Sequence, residues 1–598
     1  MYCKTMHVSW VSNFDNRKTL STFLSEMKYM VVDAGDILDI MAAKSSHVIS
    51  AAIDFGTTFS GYAFSTLHDF HTSPDKVSSL TWTATSGCLQ SLKTSTAVLF
   101  TPDKKFSCFG FEAEDKYSEL TLGEGGKMVL LLQIQDGALP ALDVFSAAIG
   151  YMKDHLLQTC NKQGLDLLPH DIQWVLTVPA IWDDSAKLFM RKAAVKAGML
   201  SDKLLLALEP EAAAMYCKHI HVNVSADWDG SKTLSNFRPG TKYMVVDAGG
   251  GTVDITVHQV QELGTLREVC AASGGDWGGT MVDKEFERLL RNIFGQRVFR
   301  KFQRDHIDDF LEFFRTFEIK KRTLSEKQDT MTFTVPTSLL DMYQSGKMSG
   351  DANEFVAARS GQILLKQSKL RVSSQCISSL YESSSSCLVN HLKKMMQDPL
   401  AADISSIIMV GGYSECSFLQ EKVIQEFPST RVIVPSEPGL AVLKGAVITG
   451  HTPSAMTQRV CRYTYGIRSN SQFIEGVHDE KRKYVNTRGK IKCRDVFKWQ
   501  VSVGDAIQVG HKGKMLRYGV HDEQSTYMMF SVYISTQQNP LYTDDCKKIG
   551  NLRIEMPDTT KGLERGADVQ LIFGGSEITV EATDIFTGVK QSANFDFA

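Results

Sequence analysis

The chain is poor in the features that mark secreted, metal-bound or membrane proteins. Its 12 cysteines include no Cys-x-x-Cys pair, and no His-Glu-x-x-His run occurs. Neither a disulfide scaffold nor a local zinc site is therefore encoded. With 15 prolines and 44 glycines in 598 residues, collagen-like and proline-rich chains are excluded. No apolar run approaches the roughly 20 residues of a membrane helix. Lys+Arg 65 against Asp+Glu 68 leaves a net charge of −3, without a broad basic footprint or an acidic tail, so neither nucleic acid nor membrane is an expected partner. The first thirty residues carry no basic-then-apolar leader. Reduced thiols and a cytoplasmic location follow as expectations, with the nucleus as a second compartment. What is present is an ordinary globular composition, 43% hydrophobic and 22% charged, at a length that suits roughly three to five domains.

One segment occurs twice. Met1-Tyr2-Cys3-Lys4 recurs at Met215–Lys218, Lys18–Ser21 at Lys232–Ser235, and Lys28–Gly35 at Lys242–Gly249, always 214 residues apart. A single copied segment is not the serial period of a solenoid or propeller. The first copy has Asp36-Ile37-Leu38 where the second has Gly250-Gly251-Thr252. It is expected to be a dispensable extension, from a duplicated exon or a gene-model error.

From residue 48 onward, apolar runs alternate with amphipathic stretches. Val48–Ile53, Trp174–Val178, Tyr243–Val246 and Ile407–Val410 read as buried strands, and Ser185–Ala197 as a helix stopped by Gly198. This alternation predicts α/β layers with mixed sheets. The serine tract Ser383–Ser386 reads either as a loop or as a polar turn within a helical stretch. Beyond about residue 455, Met528–Ile534, Asn551–Met556, Val569–Phe573 and Ile578–Ala582 are short alternating runs between turns, which suits a small antiparallel β domain.

Three of the predicted strands run into small residues and hydroxyls. They are Asp54-Phe55-Gly56-Thr57-Thr58, Asp247-Ala248-Gly249-Gly250-Gly251-Thr252-Val253-Asp254, and Val410-Gly411-Gly412-Tyr413. Glycine lets backbone N–H groups approach a phosphate closely, and a helix N-terminus favours an anion. In the first turn the hydroxyls and amides can hold terminal phosphates while Asp54 faces a hydrated metal. Any one such turn is commonly mere punctuation. Three in this order predict a triphosphate site.

The same residues resemble the actin-like ATPase superfamily, most closely the 70-kDa heat-shock chaperones and, among those, the heat shock 70 kDa protein 12 branch. The resemblance runs through AAIDFGTTFSGYAFS (51–65), VLTVPAIWDDSAKLFMRKAA (175–194), LALEPEAAAMYC (206–217) and VVDAGGGTVDITVHQV (245–260). It continues through SGGDWGGTMVDKEF (273–286), IIMVGGYSECSFLQ (407–420) and PSEPGLAVLKGAVITG (435–450), and more faintly through YGIRSN (465–470) and residues 578–597. It implies a two-lobed ribonuclease-H-like ATPase fold at 48–450, with lobe I at about 48–242, lobe II at about 243–434 and a return to lobe I at 435–450. Residues 1–47 would be a poorly ordered extension, and 451–598 a β-rich, substrate-binding-like domain without a helical lid.

Carried over by position, the resemblance implies ATP or ADP with Mg²⁺, the ion held mostly through water by Asp54, Glu209 and Asp247. Gly56, Thr57, Thr58, Gly249, Gly250, Gly251, Thr252, Gly411 and Gly412 would cradle the phosphates, and Asp254 would orient water. Glu318, Lys321, Arg322 and Ser325 lie at i, i+3, i+4 and i+7, one stripe of a helix. On spacing alone a solvated charged face would do as well; the resemblance assigns the stripe to adenosine. Extended polypeptide and co-chaperones are the implied partners.

Four departures stand out. The family's phosphate-contacting lysine has Lys127 as its nearest counterpart, in the shortened run Glu124–Met128. Glu415 replaces the arginine that covers adenine, and Gly439 replaces an acidic residue. The linker Thr452–Arg462 is polar rather than apolar. Slow hydrolysis, weak base stacking and an undocked linker are the resulting expectations. The other readings are a pseudo-ATPase scaffold or signalling or immune adaptor with structural nucleotide, and a metabolite kinase, since this cleft serves several chemistries.

Overall fold

The computed structural model describes residues 47–598 except 85–89, 122–128, 133–138, 220–237, 324–329, 346–358, 360, 487–488, 521, 594 and 597–598. Residues 1–46, with the first copy of the repeat, lie outside the described residues. His47, which the sequence reading grouped with that extension, is buried and shares a hydrogen bond with His451 (3.2 Å).

Two mixed sheets carry the molecule. In the first, β1 (Ile49–Phe55) pairs antiparallel with β2 (Phe59–Thr66) and parallel with β3 (Ile172–Val178), which pairs parallel with β4 (Leu204–Leu208). Every residue of β1 is buried, as expected for a strand covered on both faces. The second sheet repeats this plan. There β5 (Lys242–Ala248) pairs antiparallel with β6 (Val253–Val260), which continues antiparallel to β7 (Leu266–Gly275). On its other side β5 pairs parallel with β8 (Ser406–Val410), and β8 with β9 (Arg431–Ile433). In both sheets the central strand turns tightly into its antiparallel neighbour, at residues 56–58 and 249–252. That turn lies at the strand's carboxyl end, where open α/β sheets take ligands.

Helix Ala441–His451 ties the sheets together. Leu443, Ala446 and Val447 share one buried cluster with Ala52 of β1, Val175 of β3 and Ala212 of helix Glu209–His219. The serine tract resolves as helix. It lies inside Ser374–Met396, capped by Ser373, and Ser384 and Ser385 are fully buried against the second lobe. Serine is small enough for a close helix contact, and Ser384 Oγ donates to the Trp277 carbonyl (2.5 Å).

The polar linker does dock, contrary to expectation. Met456–Val460 forms β10, parallel to β7, and Ala506–Gln508 forms β11 beside it. Part of the segment that the sequence reading placed in the C-terminal domain is thus built into the second sheet. Strand pairing uses backbone groups that every residue but proline carries, so an apolar sequence is not required. A buried ion pair adds the specificity: Arg459 Nε and Nη2 donate to Glu211 Oε1 and Oε2 at 2.7 and 2.6 Å.

The remaining chain forms two antiparallel sheets, with Thr464–Gln472, Ile491–Val501, Tyr527–Ser535 and Lys547–Glu555 in one and Gly566–Phe573 and Thr579–Asp584 in the other. They close over one apolar core and meet the first lobe through Tyr465–Asp184 (2.8 Å), Lys547–Asp183 (2.6 Å) and Arg191–Glu577 (2.7 Å).

Arg459→Met would strand the Glu211 carboxylate in the interior, and a loss of about 3–5 kcal/mol is expected. Glu211→Gln in the same chain should recover most of it, as read from denaturation midpoints of the single and double variants.

Candidate functional site

Between the lobes lies a cleft of about 650 Å³, within the usual range for a small-molecule site. Its floor is built from strand ends. Asp54, at the end of β1, is 4% exposed, and both its oxygens are occupied: Oδ1 accepts from Thr177 Oγ1 at 2.8 Å and Oδ2 from Lys93 Nζ at 2.6 Å. Asp247 and Asp254 face each other in register across the β5–β6 turn and are 4% and 1% exposed. Asp254 Oδ1 accepts from the Ile181 N–H at 2.8 Å, while its Oδ2 has no partner. Glu209, the first residue of helix Glu209–His219, completes the set.

Four carboxyl groups this close together in a low-dielectric interior cannot all ionise cheaply. Burial, then Asp254 and Asp54, push Asp247 up to about 8. Burial, followed by Asp247, Asp54 and Asp254, holds Glu209 well above the ordinary carboxylate range. Asp254 is also raised, again chiefly by burial, with the Ile181 N–H pulling the other way.

The two turns meet across this floor. A Cβ on Gly250 would stand 2.2 Å from Thr58 Oγ1, and one on Gly251 2.7 Å from Thr57 Oγ1. Only glycine permits hydroxyls of one lobe to reach the backbone of the other. The carbonyls of Gly249, Gly250 and Gly251 accept from the N–H groups of Gly279, Thr280 and Gly278 at 3.1, 2.8 and 3.2 Å. The turn's oxygens are thereby engaged within the protein instead of repelling an anion. Gly411, at φ +87°, lies so close that a Cβ would meet Asp247 Oδ1 at 2.4 Å, while Gly412 has open space beside it. Thr252 lines the same wall, as does Gly56 on the opposite one.

The far end is charged and internally paired. Glu318, Lys321 and Arg322 all line the cleft from helix Ile307–Thr323. Lys321 Nζ bonds Asp283 Oδ1 (2.8 Å) and Glu318 Oε2 (2.5 Å). Arg322 donates to Glu318 Oε1 (2.9 Å) and Glu415 Oε2 (3.1 Å), and its guanidinium lies 5.0 Å from the Phe59 ring centroid of the other lobe. Burial raises the Glu318 carboxyl, but Lys321 and Arg322 more than reverse this and hold it below its usual range. Ser325 and Lys127 lie outside the described residues.

The two departures at this end prove to be one exchange. A Cβ at Gly439 would stand 2.5 Å from Glu415 Oε1. Glu415 therefore fills the space that a side chain at 439 would need. Sequence reasoning counted two separate losses because residues 415 and 439 are not neighbours in the chain. It also passed over three side chains that the fold brings to the cleft: Lys93, Thr177 and Arg315, the last bonded across the lobes to Glu114 and Asp115 (2.5 and 3.2 Å). Only the run Lys93-Thr94-Ser95-Thr96, polar residues just before the apolar Ala97–Phe100, gave any signal.

The family model described as Hsp70 protein matches residues 132–461. The chain belongs to the Hsp70 protein family. Within it the chain falls in the heat shock 70 kDa protein 12 branch: it is 30% identical to heat shock 70 kDa protein 12A of Homo sapiens, over 93% of this chain and 92% of that one. It is also 30% identical to heat shock 70 kDa protein 12B of Homo sapiens over the same shares. Among solved structures, MreB5 of Spiroplasma citri bound to ADP aligns with a TM-score of 0.43 and 14% identity, over 68% of this chain and 98% of that one. As an Hsp70 the protein has the actin-like ATPase fold and is a nucleotide-binding protein.

Two outcomes follow for this Hsp70. In nucleotide-free, metal-free protein, the raised Asp247 carboxyl stabilises the fold while protonated and ceases to do so as pH rises through about 8. Melting temperature should therefore fall more steeply between about pH 5 and 9 in wild type than in Asp247→Asn. Arg315→Ala removes the Glu114–Asp115 tie between the lobes and should speed ADP release about tenfold, measured by displacement of a fluorescent ADP.

Proposed function

We propose that this protein is a chaperone-like ATPase that turns over slowly and receives extended polypeptide on its C-terminal β sheets. One observation carries the reading: the Thr57–Thr58 turn and the Gly249–Thr252 turn face each other directly above Asp54, Glu209 and Asp247. Phosphates entering between them would meet hydroxyls and backbone N–H groups, with Gly411 and Gly412 on the second wall and the Glu318–Lys321–Arg322 stripe at the adenosine end.

The donor set fits Mg²⁺. Asp54, Glu209 and Asp247 are hard oxygen ligands, and the crowding that raises Asp247 and Glu209 is what a divalent cation would relieve. When bound, the ion would neutralise charge on the phosphate oxygens. Asp254 keeps Oδ2 unpartnered beside the second turn, so it can accept a hydrogen bond from the attacking water and orient it.

The chaperone part of the reading rests on the sheet edge at Lys483–Val485, which among the described residues has a strand neighbour on one side only. Val485 and Ile491 are more than half and half exposed there. An extended segment could add to this edge by backbone pairing. We place the protein in the cytoplasm on the same reading.

A scaffold with a structural nucleotide is the second reading. It is favoured by Asp54, whose two oxygens are already satisfied by Thr177 and Lys93. Calorimetry with Mg-ATP, followed by single-turnover hydrolysis, separates the two. Binding with a rate that falls about 10²–10³-fold in Asp247→Asn is expected for an ATPase. Binding with no difference between Asp247→Asn and wild type would favour the scaffold, and no binding at millimolar nucleotide would reject both.

A further inference from the structure

Four basic residues line the cleft: Lys93, Arg315, Lys321 and Arg322. Three of them are each tied to two or more carboxylates: Arg315 to Glu114, Asp115 and Glu312, Lys321 to Asp283 and Glu318, and Arg322 to Glu318 and Glu415. Lys93 differs. Among the described residues Asp54 is its one ion-pair partner, and that partner belongs to the cleft floor itself. An ammonium has three N–H donors, so Lys93 can offer an N–H to an incoming anion, while Asp54 keeps Thr177 on Oδ1.

Its backbone is fixed to the first phosphate turn. The two-residue strand Thr94–Ser95 pairs with Ser60 and Phe59 of β2. The Thr96 N–H donates to the Thr58 carbonyl at 2.9 Å, and Thr96 Oγ1 to the Gly56 carbonyl at 2.8 Å. The Lys93 stem lies over Gly61, where a Cβ would meet its Cγ at 3.0 Å. Lys93 therefore stays with Thr57 and Thr58 as one unit, its ammonium at the phosphate end and its side chain 17% exposed.

We propose that Lys93 is the cation that contacts the terminal phosphate of ATP, held on Asp54 otherwise and handed from that carboxylate to the phosphate when the triphosphate enters. This rests on the nucleotide reading above. The exchange involves no bond breaking beyond a charge-assisted hydrogen bond, which a phosphate oxygen replaces in kind. A diphosphate stops short of that position, so Lys93 would give the cleft its preference for ATP over ADP.

The test uses the full chain and calorimetry with Mg-ATP and with Mg-ADP. Lys93→Met is expected to weaken ATP binding on the order of 10–100-fold and ADP binding by about threefold or less, with Lys93→Arg keeping part of the preference. Thermal melts establish that each variant is folded, and should Lys93→Met not fold, Lys93→Gln is read in its place. An unchanged ratio of ATP to ADP affinity in the folded variant overturns the proposal, as does an equal loss for both nucleotides. Loss of the ratio in Lys127→Met but not in Lys93→Met also overturns it. Wild type that binds ATP beside a Lys93→Met variant that binds it equally well defeats only the role of Lys93. Wild type that binds neither nucleotide defeats the nucleotide reading and this proposal together.

Discussion

Crowding of like charge in a small, dry space is the constraint around which the molecule is arranged. Asp54, Glu209, Asp247 and Asp254 come from four different elements; the first three line the cleft and Asp254 is buried behind Asp247, its partner in the β5–β6 ladder. Left alone, such a cluster would favour opening. Lys93 and Thr177 bond both oxygens of Asp54, and the other three carboxyls rise in pKa, the Ile181 N–H opposing the rise at Asp254. A site built this way holds stored electrostatic tension that positive charge, whether a side chain or a hydrated cation, can release.

The same helix that begins with Glu209 carries Glu211 one step further, facing away from the cleft toward Arg459 of the linker strand. Two buried charge problems thus sit two residues apart on one rigid element. The first faces nucleotide and the second faces the strand that leads into the C-terminal sheets. Any rotation of this helix that eases one must alter the geometry of the other, because the Arg459 fork holds both Glu211 oxygens. That is a physical basis for communication between cleft and β sheets that needs neither an apolar linker nor a helical lid, provided two arrangements of the helix differ in energy.

The adenosine end shows a different economy of design. Glu318 serves Lys321 and Arg322 at once, and Arg322 is drawn also to Glu415 and to the face of Phe59. These contacts bridge lobes as well as residues, so the charge network at this end of the cleft also holds the lobes together. Glu415 and Gly439 exchange volume and charge across a gap in the chain of more than twenty residues.

Much of this was legible in the one-dimensional pattern. Apolar runs that end in glycine and hydroxyl residues specify the strands and both phosphate turns, since period, turn chemistry and the absence of a Cβ are local properties. The i, i+3, i+4 stripe of Glu318, Lys321 and Arg322 is local in the same sense. Other features depend on what lies opposite. The serine tract became helix because the second lobe buries it; the polar linker became a strand because β7 offered a free edge. Lys93 reached Asp54 because a two-residue ladder set it beside the turn. Local sequence chooses backbone conformation and the chemistry at hand; only the packed chain decides which charges must share a space, and here that sharing is what makes the site.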